Sequence, residues 1–224
     1  MMREKVISRV LRDKLVAIVR DLDGTSILKL AEALCSGGIH MMEVAFNQSR
    51  PESFGDVARA IEAIQKRYGE DMYAGAGTVA TMEQLSIAAE ARALYVISPN
   101  TNADVIKAAR SAGLVSMPGA FTPSECLEAH AAGADFIKLF PIAQMGSAYL
   151  KALRAPLSHL RFIGVGGVDS KNIREFMAAG AAGFGVGGNL VSKTLVETGD
   201  FDEITKIARG YVKAVEAATG EWHE

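Results

Sequence analysis

The feature that most constrains the fold is a glycine placed between a helical segment and a short apolar run. It recurs as Ser36-Gly-Gly-Ile39, Ser111-Ala-Gly-Leu114, Ala132-Gly-Ala134 and Ala179-Gly-Ala181. Glycine adopts the left-handed conformation that commonly ends a helix. The apolar runs are short and continuous, as in parallel strands that are buried on both faces. The repeated pattern therefore predicts regular alternation of helices and parallel strands.

About eight such runs are spread over the 224 residues without a break in composition. They are Leu15–Arg20, His40–Phe46, Met72–Ala76, Leu94–Ser98, Leu114–Met117, Asp135–Phe140, Arg161–Val165 and Ala182–Val186. Strict alternation over ~200–250 residues favours a (β/α)8 TIM barrel. We predict an α/β chain with one such barrel domain over residues 1–224 and an extra N-terminal helix at 3–13. The helices predicted between the later strands include 148–153 and 170–179, the second with Ser170 as its N-cap. The alternative is an open doubly wound sheet, which would place a GxGxxG turn after the first strand. Arg20-Asp-Leu-Asp-Gly24 does not supply one.

Composition excludes several classes of function. The formal net charge is -2 and the pI is about 6.1, which argues against a nucleic-acid or anionic-membrane partner. No run of about 18 apolar residues predicts a membrane span, and charges near the N-terminus argue against a secretory signal. Two cysteines without a CxxC motif indicate a reducing cytoplasm. No metal or cofactor is expected, because the histidines at 40, 130, 159 and 223 share no spacing.

Lys138 is the most unusual residue, because it interrupts the apolar run of the sixth predicted strand. Lysine is rarely buried, and the general explanation is that its ammonium reaches water from a strand end. Side chains alternate across a strand, so Phe136, Lys138 and Phe140 share one face and Ile137 and Leu139 share the other. If the second face packs on the helices, Lys138 points into the barrel. A buried amine tends to lose its proton and becomes a nucleophile toward carbonyl carbons.

Glu43 lies within the second predicted strand, between Met42 and Val44. It could be a core carboxylate that pairs with Arg20 or Lys138 for structure alone. A carboxylate and an amine in one barrel mouth would instead shift each other's pKa, as pairs at reactive sites do. We therefore expect Lys138 and Glu43 to be catalytic.

Two glycine turns predict an anion site. Gly164-Val-Gly-Gly-Val168 and Gly185-Val-Gly-Gly-Asn189 follow the seventh and eighth predicted strands. Barrels often bind phosphate at these two loops through backbone N–H groups. Simple tight turns would also use glycine, but two such turns at these strands favour phosphate binding.

Together these residues predict Schiff-base chemistry on a phosphorylated keto compound. Lys138 would attack the ketone, and Glu43 would move protons during imine formation and carbon–carbon cleavage. Arg20, Asn47 and Thr78 could hold a substrate carboxylate or hydroxyl groups. Two other classes remain open: an isomerase or decarboxylase that uses Lys138 as an acid or base, and a sugar-phosphate-binding protein without catalysis.

Nearly the whole chain resembles the class I aldolases of the 2-keto-3-deoxy-6-phosphogluconate (KDPG) and 4-hydroxy-2-oxoglutarate (KHG) family. The matching stretches are Gly37-Gly-Ile-His-Met-Met-Glu-Val44, Gly75-Ala-Gly-Thr-Val79, Ile97-Ser-Pro-Asn100, Met117-Pro-Gly119, Ile137-Lys-Leu-Phe-Pro141 and Gly164-Val-Gly-Gly-Val168. The resemblance implies a metal-independent lyase of an Entner-Doudoroff-type pathway. It also implies a homotrimer that acts on a small phosphorylated keto acid.

The resemblance also implies roles for individual residues. Lys138 is the Schiff-base lysine and Glu43 the acid and base. The residues at the pyruvate end are Thr78, Pro99 and Phe140, and those at the phosphate are Gly166, Gly167 and Gly188. The glycine turn after the eighth strand adds Gly187 and Asn189 to the predicted phosphate site.

Two positions depart from the phosphogluconate-type pattern. Asn47 stands where an arginine helps to bind the carboxylate, and Asn189 stands where a serine is frequent. Asn47, the Ser98-Pro-Asn100 turn and the stretch Gly146-Ser-Ala-Tyr-Leu-Lys-Ala-Leu153 look closer to the 2-keto-3-deoxy-6-phosphogalactonate branch. Arg20 is our candidate to bind the carboxylate in place of that arginine. The gluconate or galactonate preference, and cleavage of 4-hydroxy-2-oxoglutarate, stay open.

Overall fold

The computed structural model describes residues 2–20 and 24–220, so residues 21–23 and the C-terminal stretch with His223 lie outside the described part. Nine strand segments form one parallel sheet. They are β1 (Leu15–Val19), β2 (Met41–Ala45), β3 (Tyr73–Gly77), β4 (Tyr95–Ile97), β5 (Val115–Met117), β6 (Gly119–Ala120), β7 (Ile137–Leu139), β8 (Phe162–Val165) and β9 (Gly183–Val186).

The sheet closes into a barrel through Pro118. Strand order runs from β5 through β4, β3, β2, β1, β9, β8 and β7 to β6, so the two ends of the sheet are consecutive in the chain. Across the closure, the N–H of Lys138 donates to the carbonyl of Pro118 at 2.8 Å, and the N–H of Asp135 donates to that of Ser116 at 3.0 Å. β5 and β6 are thus one barrel position split by a proline, and the predicted (β/α)8 barrel is confirmed.

Helices surround the barrel in the predicted alternation. They are α1 (Met2–Asp13), α2 (Gly24–Ser36), α3 (Phe54–Tyr68), α4 (Met82–Glu90), α5 (Ala103–Ser111), α6 (Pro123–Ala132), α7 (Ile142–Arg154), α8 (Ile173–Ala178), α9 (Lys193–Thr198) and α10 (Phe201–Thr219). Each of the four glycine signals contains a residue with positive φ: Gly38 at 86°, Gly113 at 77°, Gly133 at 102° and Gly180 at 96°. The predicted glycines at the ends of these four helices are confirmed. No helix in residues 2–20 and 24–220 is both long and apolar enough to cross a membrane.

Two helix starts differ from expectation. We expected a helix at 170–179 with Ser170 as its N-cap, but α8 begins at Ile173. The Asp169 carboxylate accepts from the N–H groups of Lys171 and Asn172 at 2.8 and 2.9 Å, which folds this segment into a turn. We expected the helix after Lys138 at 148–153, whereas α7 begins at Ile142 and kinks at Gly146, whose φ is 77°.

Apolar side chains pack in two layers. The larger core fills the space between the strands and the outer helices, and a second cluster fills the barrel interior. Helix α1 contributes Val6 and Val10, exposed by only 0% and 1%, to the interior cluster. Arg3 on the same helix pairs with Asp135, which also accepts from the N–H of Ser116 at 3.0 Å. Helix α1 therefore closes the N-terminal end of the barrel and leaves the C-terminal mouth open.

Candidate active site

Lys138 lies inside the barrel, as its strand position predicts. Its neighbour Phe136 belongs to the interior cluster, whereas Ile137 and Leu139 pack in the outer layer against the helices. Lys138 is only 6% exposed, so almost all of its side chain is removed from water. Burial lowers the pKa of this ammonium, with Arg20 acting in the same direction and Glu43 against it. These surroundings favour a neutral amine.

Glu43 is buried in the same interior and is 1% exposed. Neither carboxylate oxygen has a hydrogen-bond partner among the described residues. Burial raises the pKa of this carboxyl, and the cations of Lys138 and Arg20 offset part of the rise. A buried carboxyl without a structural partner is poised to exchange a proton, which disfavours the purely structural interpretation.

The glycines of the Gly-Ala-Gly-Thr stretch make room for Glu43. A Cβ on Gly77 would lie 1.8 Å from Glu43 Oε1, and a Cβ on Gly75 would lie 2.4 Å from the Tyr95 ring. Tyr95 is fully buried, and this burial raises the pKa of its hydroxyl, with a further contribution from the charge of Glu43. Strand β3 therefore has glycine at the two positions where Glu43 and Tyr95 pack against it. The residue types on β3 set the position of the carboxylate.

A cavity of about 210 Å³ at the mouth brings together three predicted site residues: Arg20, Asn47 and Thr78. Gln48 lines the same cavity. A larger cavity of about 570 Å³ lies beside it along α3 and shares Arg20 and Asn47. Asn47 Oδ1 accepts from the N–H and the hydroxyl of Ser49 at 3.1 and 2.7 Å. Thr78 follows β3 with a left-handed φ of 57°.

Pro99 and Phe140 also lie at the mouth, where they follow β4 and the Lys138 strand β7, respectively. A Cβ on Gly119 would lie 2.3 Å from the Pro99 carbonyl oxygen, so this glycine allows the Pro99 turn to reach the closure of the barrel. The Phe140 ring is 50% exposed, and its centroid lies 5.5 Å from Lys138 Nζ. Its other neighbour is Gly166, where an added Cβ would lie 2.9 Å from the ring. Phe140 therefore stands between the amine and the first glycine turn.

The two glycine turns are joined to each other. Gly166 and Gly167 have φ of 90° and 75°, a conformation that favours glycine. Asn189 donates from Nδ2 to the carbonyl of Val168 at 3.2 Å and so ties the second turn to the first. A Cβ on Gly188 would meet no atom within 4 Å, so its backbone borders open space. Backbone N–H groups beside open space suit a phosphate.

Three residues near the site were missed by sequence reasoning. They are Tyr95 beneath Glu43, and Gln48 and Gln84, whose side chains hydrogen-bond at 2.9 Å. Gln84 is 1% exposed. The one available signal was Gln84 itself, which stands three residues after Thr81 as in a capping box.

Comparison with known proteins gives consistent matches. The family model described as KDPG and KHG aldolase matches residues 6–207. A probable 2-dehydro-3-deoxy-6-phosphogalactonate aldolase of Rhizobium meliloti is 37% identical over 177 residues, covering 79% of this chain and 81% of its own. A KHG/KDPG aldolase of Escherichia coli K12 is 36% identical over 205 residues, covering 91% and 90%.

Two solved structures have the same fold. A native KDPGal structure superposes with a TM-score of 0.82 at 32% identity, covering 92% of this chain and 96% of its own. A KDPG aldolase of Legionella pneumophila, with pyruvate captured as a covalent carbinolamine, gives a TM-score of 0.82 at 27% identity and covers 92% and 97%.

Proposed function

The chain belongs to the KDPG and KHG aldolase family, and we propose that it cleaves a 2-keto-3-deoxy-6-phospho sugar acid through an imine on Lys138. It is a class I aldolase, and its products are pyruvate and an aldehyde, here glyceraldehyde 3-phosphate. The observation that carries the proposal is the burial of Lys138 beside Glu43, a carboxyl without a hydrogen-bond partner among the described residues.

The reaction begins at the neutral amine. Lys138 Nζ attacks the C2 ketone carbon, and Glu43 moves the protons that turn the carbinolamine into an iminium with loss of water. The C4 hydroxyl then loses its proton to Glu43, and the C3–C4 bond breaks. The bonding electrons flow into the iminium, which leaves an enamine on Lys138 and releases the aldehyde. Protonation at C3 and addition of water free pyruvate and the amine.

The surroundings of Lys138 support this sequence of steps. Imine formation needs an unprotonated amine, and burial lowers the pKa of Lys138. Proton transfer needs a carboxyl with a pKa closer to neutrality, and burial raises the pKa of Glu43. The pair thus has opposite shifts, each in the direction that its role requires.

Borohydride reduction in the presence of pyruvate tests the proposal. We expect a covalent adduct, seen by mass spectrometry on the peptide that contains Lys138, and no adduct in Lys138→Met. Lys151→Met, at an exposed position of α7, is the matched control and should keep the adduct. Absence of the adduct with activity on a ketose phosphate would indicate an isomerase or decarboxylase. Absence of both would indicate a binding protein without catalysis.

The phosphate end is assigned to Gly166, Gly167, Gly187, Gly188 and Asn189. The positive φ of the first pair and the hydrogen bond from Asn189 to Val168 support a preformed backbone cradle. A substrate analogue without the phosphate group should therefore bind more weakly, with its imine chemistry retained. Equal affinity for both compounds would contradict this assignment.

The carboxylate end is assigned to Arg20, with Asn47 and Thr78 in the same cavity. Pro99 and Phe140, which follow strands β4 and β7, are assigned to the pyruvate end with them. Arg20→Ala should weaken the binding of pyruvate, measured as the concentration that half-saturates borohydride trapping. An unchanged value would refute the role of Arg20. The ratio of cleavage rates for the gluconate and galactonate epimers, and for 4-hydroxy-2-oxoglutarate, would identify the substrate.

The trimeric state follows from the family resemblance and the cytoplasmic location from the cysteine content, and both stay predictions. Light scattering of the purified protein should give three times the mass of one chain, and a monomer would contradict the expected assembly.

A further inference from the structure

Among the described helices, α4 and α6 begin with caps of the same design that differ at one position. In α4 the N-cap is Thr81 and its partner is Gln84, whereas in α6 they are Thr122 and Glu125. In both, one side-chain oxygen accepts from the N–H of the N-cap residue and from the N–H of the residue before it. The distances are 3.2 and 2.8 Å for Gln84 and 2.7 and 2.9 Å for Glu125. A carboxylate is therefore sufficient for the cap, and capping does not explain the amide at position 84.

The amide nitrogen of Gln84 has a different partner. It donates to Gln48 Oε1 at 2.9 Å, and Gln48 Nε2 donates to the carbonyl oxygen of Thr78 at 2.7 Å. Gln84 is 1% exposed, so its amide is shielded from water and its partner is fixed. A directed chain of two hydrogen bonds thus runs from the start of α4 to the peptide group of Thr78.

Thr78 is a residue that needs such support. It is β-branched and has a φ of 57°, a conformation that branched residues adopt only when neighbouring groups hold them. It lines the mouth cavity with Arg20 and Asn47. It also directly follows Gly77, the glycine against which Glu43 packs. A rotation of this peptide would alter both the cavity wall and the support of the carboxylate.

We infer that Gln48 and Gln84 are positioning residues that hold Thr78 in its substrate-binding conformation. The inference rests on the proposed function, because it assigns Thr78 to the pyruvate end. Gln84 fixes the orientation of the Gln48 amide, and Gln48 holds the Thr78 carbonyl. The direction of the chain matters, since an amide offers its donor at one end and its acceptor at the other.

Gln84→Glu breaks the chain without removing the cap. The new carboxylate keeps the oxygen that accepts from the two backbone N–H groups, as Glu125 shows, but it cannot donate to Gln48. If the Gln48 amide rotates to donate to this carboxylate, its oxygen then faces the Thr78 carbonyl, so one contact is lost in either orientation. We expect the pyruvate concentration that half-saturates borohydride trapping to rise about tenfold, the effect of one neutral hydrogen bond.

A charge-compensated double variant provides the rescue. Lysine has three donors and no acceptor, so Gln48→Lys alone opposes the Gln84 amide with a second donor. In Gln84→Glu with Gln48→Lys, the ammonium can donate both to the carboxylate and to the Thr78 carbonyl. We expect both single variants to be impaired and the double variant to recover most of the wild-type half-saturation. Glu125→Gln, in the second cap, is the matched control and should leave the value unchanged.

The outcomes separate the inference from the proposed function. An unchanged half-saturation in Gln84→Glu would overturn the inference while the adduct on Lys138 persists. The inference would also be overturned if the half-saturating pyruvate concentration rose together with a loss of thermal stability, and the double variant recovered neither. The Gln84 amide would then serve only to stabilise the helix. Failure of the wild-type protein to form any adduct would refute the proposed function instead.

Discussion

Gly77→Ala tests the position of the Glu43 carboxyl group without changing the group itself. The carboxyl stays in the chain, but the methyl group added on β3 would lie 1.8 Å from Oε1 and 2.4 Å from Cγ and Cδ. Gly77 does not have a positive φ, so alanine fits the backbone there. The side chain of Glu43 is buried on all sides and has to move away from β3.

The size of the effect follows from these distances. An ordinary contact of 3.4 Å requires the carboxylate to retreat by about 1.6 Å. Misplacement of a catalytic group by ~1 Å costs about a hundredfold in rate, and general acid–base catalysis as a whole contributes about 10²–10⁴-fold. We therefore expect kcat for cleavage of the keto acid to fall by about a hundredfold or more, approaching the rate of Glu43→Ala. Overpacking of the barrel should also cost about 1–3 kcal/mol of stability.

The assay is steady-state cleavage coupled to pyruvate detection, with thermal unfolding measured on the same sample. Gly210→Ala is the matched control. Gly210 lies on α10 with no atom within 4 Å of its added Cβ, so this variant should keep its activity. If folded Gly77→Ala cleaved substrate within threefold of the wild-type rate, the geometric role assigned to Gly77 would be refuted.

Three further variants probe other parts of the molecule. Glu43→Gln should be more stable than the wild type at pH 8, because it removes a buried carboxylate whose pKa is raised by burial. Protonation of Glu43 removes the cost of burying its charge, so the thermal unfolding curves of the two proteins should converge as the pH falls toward 4.5. Gly188→Ala should leave stability and pyruvate trapping unchanged but raise KM for the phosphorylated substrate about tenfold, because its methyl group enters the open space at the second turn; an unchanged KM would argue against the cradle. Val6→Ala should lower the free energy of unfolding by about 2 kcal/mol in urea titrations with kcat retained, since it empties part of the core at the far end of the barrel.

The sequence predicted those features that depend on local chemistry. Glycines before the strands predicted helix ends, and the alternation of Phe136, Lys138 and Ile137 predicted which face enters the barrel. These inferences succeed because left-handed backbone and strand alternation are properties of a few consecutive residues.

The missed features depend on residues that are distant in the chain. Gln48 and Gln84 are 36 positions apart, and only the packing of α4 beside the mouth brings their amides together. Gly77 was part of a recognised motif, but its steric reason is a side chain from the neighbouring strand. Ser170 failed as an N-cap because the adjacent Asp169 satisfies the local N–H groups first.

The closure of the barrel by α1 has a consequence for the order of steps in the reaction. Because Val6 and Val10 fill the N-terminal end of the interior, the amine of Lys138 is approached from the C-terminal mouth. In the proposed reaction, the fragment attached to Lys138 would lie deeper than the aldehyde. The aldehyde would then depart before pyruvate, and in the direction of synthesis pyruvate would enter first. The covalent bond to Lys138 and the filled N-terminal end of the barrel would both enforce this order.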